Sequence, residues 1–500
     1  MPISETVVTY EAFGAVGDGV ADDLPAICAA HAHANAHNLP VHSRADATYH
    51  LGSQPLTAII ATDTDWNSSR FTVDDTTVDA AADHHKVPLF SVQSLLTPIA
   101  LPLDRLSRDQ RQLDLRPDHD CHVLVENDNH MLYIRRGLNQ NNGVAQNDCF
   151  ILRRDGSVEG AIDWEYEEIT RVEARPIDET PLIIRGGVFT TFANRMAQPI
   201  GYNYWARNIE ISRSNTEIHD LIHYVVGETT IGHPYRGFLS ASQCANFTLR
   251  NCFATPHRIY STIGAAGKPV NMGSYDIHAN HVVNFAMFNC HMNLICDRTR
   301  WGVIATNFCK NILLDGCTLS RMDTHMGVSG TYTIRGCELG HMGLNAIGRG
   351  TLLVEDSTLY GRALVSFRDD YGATWEGELI IRNCRWIPAC GEESWPHLIR
   401  GSNDGMHDFG YPCSMPQMVT IDGLYVDDSN HPADYQGLYL FSDPDQTFAV
   451  ADPSTLPEER PFPYAHCEQI SVRGLTTASG KPPQVSPNMR LQNRIMVAKE

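Results

Sequence analysis

Residues 311–362 read NILLDGCTLSRMDTHMGVSGTYTIRGCELGHMGLNAIGRGTLLVEDSTLYGR, and this stretch decides the fold. It contains three similar segments, 312–319, 332–339 and 352–359, each an alternating apolar strand with a polar, glycine-rich tail. Cys317, Cys337 and Ser357 occupy the same place in these segments, so the repeat is 20 residues long. A fixed period of about 20 residues with a strand in every unit predicts a β-solenoid rather than a globular mixed sheet.

The repeat continues on both sides of this stretch. Segments 247–252 and 285–290 precede it, segments 379–384 and 419–423 follow it, and the successive spacings are 38, 27, 20, 20, 27 and 39 residues. Longer spacings therefore contain inserted loops. Equivalent residues of a parallel solenoid stack about 4.8 Å apart, which predicts an inward ladder of Cys252, Cys290, Cys317, Cys337 and Cys384. We interpret these thiols as small packing groups rather than as a metal or redox site.

The composition describes a folded, acidic chain. Of its 500 residues, 42% are hydrophobic and 19% are charged, and the formal net charge is −21. This charge argues against nucleic acid as a partner, because phosphate binding needs a basic face. The 14 cysteines contain no Cys-x-x-Cys pair, which excludes zinc-ribbon and thioredoxin-like sites.

The first residues, MPISETVVTY, lack the basic and apolar segments of a signal peptide. No run of 18 apolar residues occurs, so no membrane partner is expected. These features favour a cytoplasmic protein, or a secreted protein whose signal peptide has been removed. No motif indicates an organic cofactor or a metal site, although aspartates leave room for a divalent cation such as calcium. The sequence also leaves open the formation of a homo-oligomer.

Residues 13–23, FGAVGDGVADD, follow a short strand and precede a helix expected at residues 23–36. The glycines suit a tight turn, and Asp22 suits the N-cap of the helix. This segment resembles the opening of the pectate-lyase-like superfamily of right-handed parallel β-helices, in which a similar segment and helix cap the solenoid. The resemblance implies an all-β, right-handed parallel β-helix (solenoid). It implies no single activity, because the superfamily includes lyases, hydrolases, epimerases and phage tailspikes.

The order of the segments predicts four parts. Residues 1–41 form the N-terminal strand and capping helix, and residues 42–180, which lack the repeat, form an antiparallel β insertion packed on the helix. Residues 181–428 form the coils with the active-site face. Residues 429–500, rich in proline and aspartate, form a C-terminal cap with one last strand at 470–474.

Charged and polar residues follow the ladder position at similar offsets in five consecutive coils. Because the coils stack, equal offsets bring these residues to one lateral face, where arginines suit carboxylates or sulfates. We predict a carbohydrate-binding cleft there; the alternative is a set of surface salt bridges, which stabilise little. The candidate catalytic residues are Arg321, Asp323, His325, His341, Arg349, Arg368, Asp369 and Tyr371. The candidate substrate-binding residues are Asp297, Arg298, Arg300, Trp301, Asn345, Asp370, Asp404 and His407, with Trp375 and Trp386 as further platforms for sugar rings.

Two reactions fit such a cleft. In β-elimination on a uronate polymer, His325 or His341 would take the C5 proton, and Tyr371 would protonate the leaving oxygen. The substrate carboxylate would be neutralised by one of three arginines, Arg321, Arg349 or Arg368. In glycoside hydrolysis or transfer, two carboxylates would act as a pair, chosen among Asp297, Asp323, Asp369, Asp370 and Asp404.

The chain departs from two well-known activities of the superfamily. It has neither the calcium-binding aspartate pattern and RxPxxR segment of pectate lyases nor the NTD, DD, GHG and RIK set of polygalacturonases. The nearest piece is residues 340–343, GHMG. We therefore predict an enzyme of a less familiar branch that cleaves an anionic, uronate-containing poly- or oligosaccharide, with elimination favoured over hydrolysis. A non-catalytic glycan-binding or tailspike-like structural β-helix is the alternative.

Overall fold

The chain winds through three ladders of parallel strands, which we call faces A, B and C, in the computed structural model. The structure describes residues 7–135, 143–193, 204–229, 235–263, 269–369, 373–401, 407–409, 414–443, 467–492 and 496–499. A coil passes through face A, then B, then C, before the next coil begins on face A. The predicted parallel β-helix is confirmed.

The strands divide among the faces as follows. Face A contains β1 (Val8–Thr9), β3 (Val41–His42), β6 (Thr64–Asp65), β13 (Leu182–Arg185), β16 (Thr216–His219), β25 (Cys309–Asp315), β27 (Val328–Arg335), β29 (Gly348–Glu355) and β38 (Met496–Lys499). Face B contains β2 (Asp18–Asp22), β4 (Thr48–Leu51), β7 (Arg70–Asp74), β14 (Val188–Phe192), β17 (Ile222–Val226), β19 (Phe253–Ala254), β23 (His291–Met292) and β30 (Thr358–Leu359). Face C contains β5 (Ala58–Ile60), β8 (Phe90–Val92), β15 (Ile209–Ile211), β24 (Val303–Thr306), β31 (Val365–Phe367), β33 (His397–Arg400) and β36 (Tyr439–Phe441).

Seven longer strands bend across a corner and belong to two faces. From face C to A run β18 (Leu239–Arg250) and β22 (Ile277–Phe288); from B to C run β26 (Thr318–His325) and β28 (Glu338–Ala346); from A to B run β32 (Trp375–Trp386), β35 (Met418–Val426) and β37 (Gln469–Thr477). The helices are α1 (Leu24–His37) and α2 (Met489–Gln492), with 3-10 turns at Glu11–Phe13, His84–Lys86 and Pro388–Gly391. Among the described residues, neither helix has the length and apolar character of a membrane span.

The repeated segments stack in register on face A. Ile312 pairs with Tyr332, and Tyr332 pairs with Leu352. Their side chains are buried. All five cysteines of the predicted ladder are buried and free, and the backbone N–H of Cys317 donates to Cys337 Sγ at 3.3 Å. The ladder is therefore a stack of small core side chains.

Stacked asparagines form one corner between faces C and A. The side-chain amide of Asn246 donates to Asn215 Oδ1 (2.7 Å), Asn284 to Asn246 (2.8 Å) and Asn311 to Asn284 (3.0 Å). All four residues have positive φ, between 54° and 63°, a conformation that asparagine tolerates better than most residues. The stack ends at Gly330, where a Cβ atom would lie 2.3 Å from Asn311 Oδ1.

The coils begin earlier than the predicted boundary at residue 181. Strands β3 to β8 already pair in parallel, and β7 lies between β4 and β14 on face B. These strands have only two to five residues, which is too short to display the repeat. The C-terminal part likewise adds β36 to face C, in addition to the expected strand, observed as β37.

The antiparallel insertion lies between β8 and β13 and is narrower than the predicted residues 42–180. Its sheet consists of β9 (Cys121–Arg135), β10 (Gly143–Leu152), β11 (Val158–Glu159) and β12 (Arg171–Pro176), joined by β34 (His407–Phe409) from a late coil. A second antiparallel hairpin, β20 (Ile259–Ile263) with β21 (Pro269–Gly273), extends from the turn between faces B and C.

A buried ion pair attaches the insertion to the coils. The Lys310 ammonium, at the corner between faces C and A, lies 2.7 Å from Asp148 and 3.3 Å from Asp163. All three side chains are buried. Burial disfavours the ammonium, but the two carboxylates outweigh this effect and raise the pKa of Lys310. Lys310 therefore stays charged, and its ion pairs with Asp148 and Asp163 hold the insertion against the coils.

The exposed side of face A carries charges of alternating sign. Asp315, Arg335, Glu355, Arg382, Asp422 and Arg473 are successive partners in the ladder. Arg335 lies 2.6 Å from Asp315, and Arg382 lies 3.2 Å from Glu355. Such exposed pairs stabilise a fold little, but a slip by one coil would place like charges together. These charges of face A are therefore stacked surface salt bridges, and they do not belong to the residues for which the cleft was predicted.

We expect Lys310→Met to destabilise the fold by about 3–5 kcal/mol, because it leaves the buried Asp148 without its counter-ion and leaves the buried Asp163 with Arg349 alone, at 3.6 Å. Urea unfolding measures this loss, and limited proteolysis should cut the released insertion. The matched control is Arg335→Gln in an exposed pair, for which the expected loss is below about 1 kcal/mol. Equal losses in the two variants would contradict the assigned role of Lys310.

A candidate polysaccharide groove on face C

A long groove of about 840 Å³ runs along face C. Strands β15, β18, β22, β24 and β26 form its floor, and successive outward positions are occupied by Glu210, Ser240, His278, Ile304 and Asp323. Inward positions on the same strands are small or apolar, such as Ala279 and Ala305, and pack in the core. Four strand spacings separate Glu210 from Asp323, or about 19 Å. The groove is thus long enough for several linked sugar residues.

Cations dominate the charged side chains of this groove. Lys86, Arg175 and Arg236 line it, and Glu210 is the one carboxylate among the described lining residues. Arg175 comes from β12, so the insertion contributes to the groove wall. Desolvation raises the pKa of Glu210, and Arg236 opposes this rise only partly. The groove therefore presents two guanidinium groups and one ammonium group on a protein whose net charge is −21. Lys86 also pairs with Asp83 at 2.9 Å, and Arg175 pairs with Glu173 at 2.6 Å.

One end of the groove meets a cluster centred on Asp323, consisting of Tyr275, Arg321, Asp323, His325 and Arg368. Asp323 is fully buried. Its Oδ2 accepts hydrogen bonds from the Tyr275 hydroxyl and from Arg368 Nη1 (2.6 Å), and it lies 2.9 Å from Arg321 Nη2. Burial alone would raise the pKa of Asp323, but Arg321 and Arg368 hold it well below its usual range. Asp323 is therefore an ionised anchor for both guanidinium groups.

His325 is the member of the cluster that lines the groove together with Tyr275. Its side chain is 23% exposed, whereas that of Asp323 is 0% exposed. His325 Nε2 lies 2.5 Å from Arg368 Nη1 and 3.3 Å from Asp323 Oδ2. Because a guanidinium can only donate, Nε2 accepts from Arg368. The imidazole is thus held beside a guanidinium at the edge of the groove.

The aromatic rings of Trp301 and Tyr275 position Arg321. Its guanidinium carbon lies 4.7 Å from the Trp301 ring centroid and 5.7 Å from that of Tyr275. The two rings meet edge to face at 4.9 Å. Stacking of this kind restrains a guanidinium more than an ion pair alone. Trp301 therefore supports the cluster, rather than lying free as a platform for sugar.

A buried network that the sequence did not reveal holds the loop before Trp301. Arg300 Nη1 lies 3.3 Å from Glu228, and Glu228 accepts hydrogen bonds from Tyr260 (2.7 Å) and His257 (2.7 Å). Asp276 lies 3.7 Å from the other nitrogen of His257. Burial lowers the pKa of His257, but Glu228 and Asp276 outweigh this effect and raise it. These contacts hold the buried Asp276 in place, and Asp276 is adjacent in sequence to Tyr275, which lines the groove.

Several predicted residues lie away from the cluster. Arg349 is on face A, where it contacts Asp109 of the insertion at 2.9 Å. His341 lies at the corner between faces B and C, and desolvation and the nearby Arg362 and Arg298 lower its pKa. The prediction from equal sequence offsets is wrong here because the register between β26 and β28 shifts at the corner. Leu319 pairs with Leu339, but Arg321 pairs with Gly343. His341 thus lies in a corner segment that is two residues longer in β28 than in β26.

Other predicted residues are structural in the described part of the chain. Asp297 accepts from the Thr299 backbone (2.9 Å) in a turn and lies 3.2 Å from Arg300, and Arg298 pairs with Glu392. Asn345 follows Asp323 by one coil on face C. Trp375 and Trp386 are fully buried, so the expectation that they are platforms for sugar rings is wrong.

The remaining predicted residues are only partly placed. Asp369 lies 3.7 Å from Arg400 on face C, beyond the cluster. His407 is placed by its backbone alone, in β34. Asp370, Tyr371 and Asp404 lie outside the described residues.

The sequence also missed groove residues in the earlier coils. Glu210 and His278 lie in the short alternating segments IEI and IHAN. Long loops separate these segments from the regular repeat, so the 20-residue spacing does not align them with it. Desolvation, with smaller effects of His325 and Arg236, lowers the pKa of His278 to about 4. The alternation of apolar and polar residues in these segments was the signal that could have predicted them. In the described part of the chain, no group of three or more His, Cys, Asp or Glu side chains is arranged to hold a metal ion.

Comparisons with known proteins agree with this architecture. No family model matches the chain. Over 203 residues, 40% of its length, the chain is 26% identical to a depolymerase of a Klebsiella phage that is named as specific for capsule KL64, and it covers 17% of that protein. Tailspike gp61 of Pseudomonas phage phi297 has a TM-score of 0.56 at 13% identity, covering 99% of this chain and 84% of the tailspike. Tailspike gp49 of Pseudomonas phage LKA1 has a TM-score of 0.51 at 14% identity, with coverages of 98% and 84%. At these identities, the two tailspikes are similar to the chain in fold, and that fold is the parallel β-helix.

Proposed function

We propose that the chain binds an anionic polysaccharide in the groove of face C and cleaves it by β-elimination. The observation that carries this proposal is a groove lined by Lys86, Arg175 and Arg236 in an otherwise acidic protein. Bidentate and charge-assisted contacts to carboxylates are the strong polar contacts available there. The similarity to a capsule-specific phage depolymerase supports a polysaccharide as the ligand.

The Asp323 cluster supplies the groups that elimination needs. A uronate carboxylate is a stronger acceptor for Arg368 than an imidazole nitrogen is. When Arg368 turns to the substrate, Nε2 of His325 is released and takes the C5 proton. The C5–H and C4–O bonds break, a C4–C5 double bond forms, and Arg321 and Arg368 stabilise the developing charge.

We assign the protonation of the leaving C4 oxygen to Tyr275, whose hydroxyl would turn from Asp323 Oδ2 to the substrate. It lines the groove, and its ring meets His325 edge to face at 6.0 Å. Burial first, and Asp323 in addition, raise the pKa of Tyr275 well above its ordinary value, so the hydroxyl keeps its proton. Asp323 is a positioning residue in this scheme, because it touches both guanidinium groups and lies below the surface.

The spacing of Glu210 and Asp323, two carboxylates in the described part of face C, supports elimination rather than hydrolysis by this pair. Such pairs lie about 5–10 Å apart, whereas Glu210 and Asp323 are separated by about 19 Å. Glu210 nevertheless has the raised pKa of a general acid, and this observation keeps hydrolysis as the second candidate. The third is binding without cleavage.

Incubation with polysaccharides tests the reaction. The panel contains polygalacturonate, alginate, hyaluronan and the KL64 capsule of Klebsiella, and both the ultraviolet absorbance of unsaturated products and new reducing ends are recorded. We expect both signals to rise together. His325→Ala should lower kcat by about 10²–10⁴-fold, the usual contribution of a general base, and Arg236→Gln should mainly raise KM. Arg335→Gln, an arginine on face A, is the control without effect.

Each of the other outcomes supports a different function. Reducing ends without absorbance, lost in Glu210→Gln, would replace elimination by hydrolysis. Retention of a polysaccharide without either signal would leave only a binding function. Full activity of His325→Ala would remove the Asp323 cluster from the reaction.

Asp323→Asn tests the charge at the centre of the cluster. At neutral pH we expect a loss of about 3–5 kcal/mol of folding free energy, because Arg321 and Arg368 lose the fully buried carboxylate that they share. The pKa of Asp323 is depressed in the folded protein, so its stabilisation is fully present above the unfolded pKa of about 3.9. It is lost as the pH falls from that value through the lower pKa of the folded state. The wild type should therefore lose stability in acid more steeply than Asp323→Asn. Urea unfolding at several pH values measures both slopes, with Asp315→Asn as an exposed control; parallel curves for the wild type and Asp323→Asn would contradict the assigned charge.

A further inference from the structure

A second groove of about 620 Å³ lies beyond the Asp323 cluster, on the late coils. We call it the distal groove and define it by Arg362, Glu393, Trp395, His397, Arg400 and Ser442. It is formed by β33, β36 and the loops that precede β31 and β33. None of these residues belongs to the groove described above.

The distal groove is in line with the first groove. Asn345, next to Asp323 in the stack of face C, pairs with Ser366, and Ser366 pairs with Arg400. Arg400 is therefore three strand spacings beyond Asp323, or about 14 Å. A polymer that follows face C past the cluster reaches Arg400 without changing direction.

Trp395 gives this groove an exposed aromatic surface. Its side chain is 43% exposed, although large apolar side chains are normally more covered. The indole meets the ring of Tyr435 edge to face at 6.1 Å, and Tyr435 is buried and donates to Asp428 at 2.8 Å. A rigid indole on a buried support loses little entropy when a ring packs on it.

Polar groups beside Trp395 complete the groove. The Arg400 side chain is 53% exposed, and its ion pair with Asp369 is long at 3.7 Å. A guanidinium has five N–H donors, so Arg400 retains donors for a ligand. His397 stacks on Tyr439 at 5.6 Å and adds a second ring. An aromatic ring flanked by several donors and acceptors suits a hydroxylated sugar ring.

We propose that the distal groove is a second saccharide-binding site, which holds sugar residues of the same polymer beyond the Asp323 cluster. The identity of the polymer rests on the proposed function, but the existence of the site rests on the distal groove itself. Trp395 packs on a sugar ring, and Arg362 and Arg400 bind its hydroxyl groups. Glu392, Glu393 and Asp443 also line the groove, which favours hydroxyl groups over carboxylates as ligands. The site contributes affinity for long chains and lies too far from His325 to take part in bond cleavage.

The test compares ligand lengths. Oligosaccharides of increasing length are prepared from the panel polysaccharide that the wild type binds most tightly, and their binding is measured calorimetrically with the full chain carrying His325→Ala, which prevents turnover. In this background, affinity should rise again once a chain reaches from the first groove to Trp395. Trp395→Ala should remove that second rise, a loss of about two- to tenfold, and leave the affinity of short oligosaccharides unchanged.

Tyr425→Ala is the matched control, because Tyr425 is an aromatic residue with 39% exposure outside both grooves. Thermal unfolding confirms that each variant is folded. A second rise that persists in Trp395→Ala, or that Tyr425→Ala also removes, overturns the distal site and leaves the first groove intact. If no polysaccharide of the panel binds, both proposals fail; if short oligosaccharides bind normally without length dependence, only the distal site fails.

Discussion

The backbone hydrogen bonds between successive coils are the constraint on which this structure depends. A parallel ladder keeps each strand about 4.8 Å from the next, and it holds residue opposite residue for as many coils as the register lasts. Side chains that are 20 to 50 residues apart in sequence therefore become neighbours. Because the side-chain period of a strand is two, the same ladder separates the inward cysteines and leucines from the outward polar residues.

Each face uses this stacking for a different purpose. On face A, the alternating charges from Asp315 to Arg473 are consistent with a fixed order of coils. At the corner between faces C and A, stacked asparagine amides satisfy one another while the backbone turns through positive φ. On face C, the successive outward positions Ser240, His278 and Ile304 form no ladder of opposite charges. Polar groups of face C such as Ser240 and His278, which line the groove, are therefore available to a ligand.

The sequence predicted the fold well because the coils from 285 to 384 are short enough to show their period. It predicted part of the site for a related reason. Arg321, Asp323 and His325 alternate along one strand, so their common side follows from the period of two alone. Arg368 joins them from a later coil.

The rest of the site was not predictable in this way. The corner between faces B and C takes three steps from Leu319 to Met322 but five from Leu339 to Leu344, which removes His341 from the cluster, and Arg349 lies one face further on. The insertion, which contributes Arg175 and holds Arg349, is placed by tertiary contacts that no local period encodes.

The charge distribution connects the groove to the behaviour of the whole molecule. A protein with a net charge of −21 repels a polyanion at a distance, whereas the cations of the groove act at contact. Salt screens charges over about 8–10 Å at physiological ionic strength. It therefore weakens the long-range repulsion more than short contacts with Arg368, whose side chain is only 14% exposed. Under the proposed function, an acidic surface around the groove thus disfavours non-specific adsorption of anionic polymers and favours a chain that lies along face C.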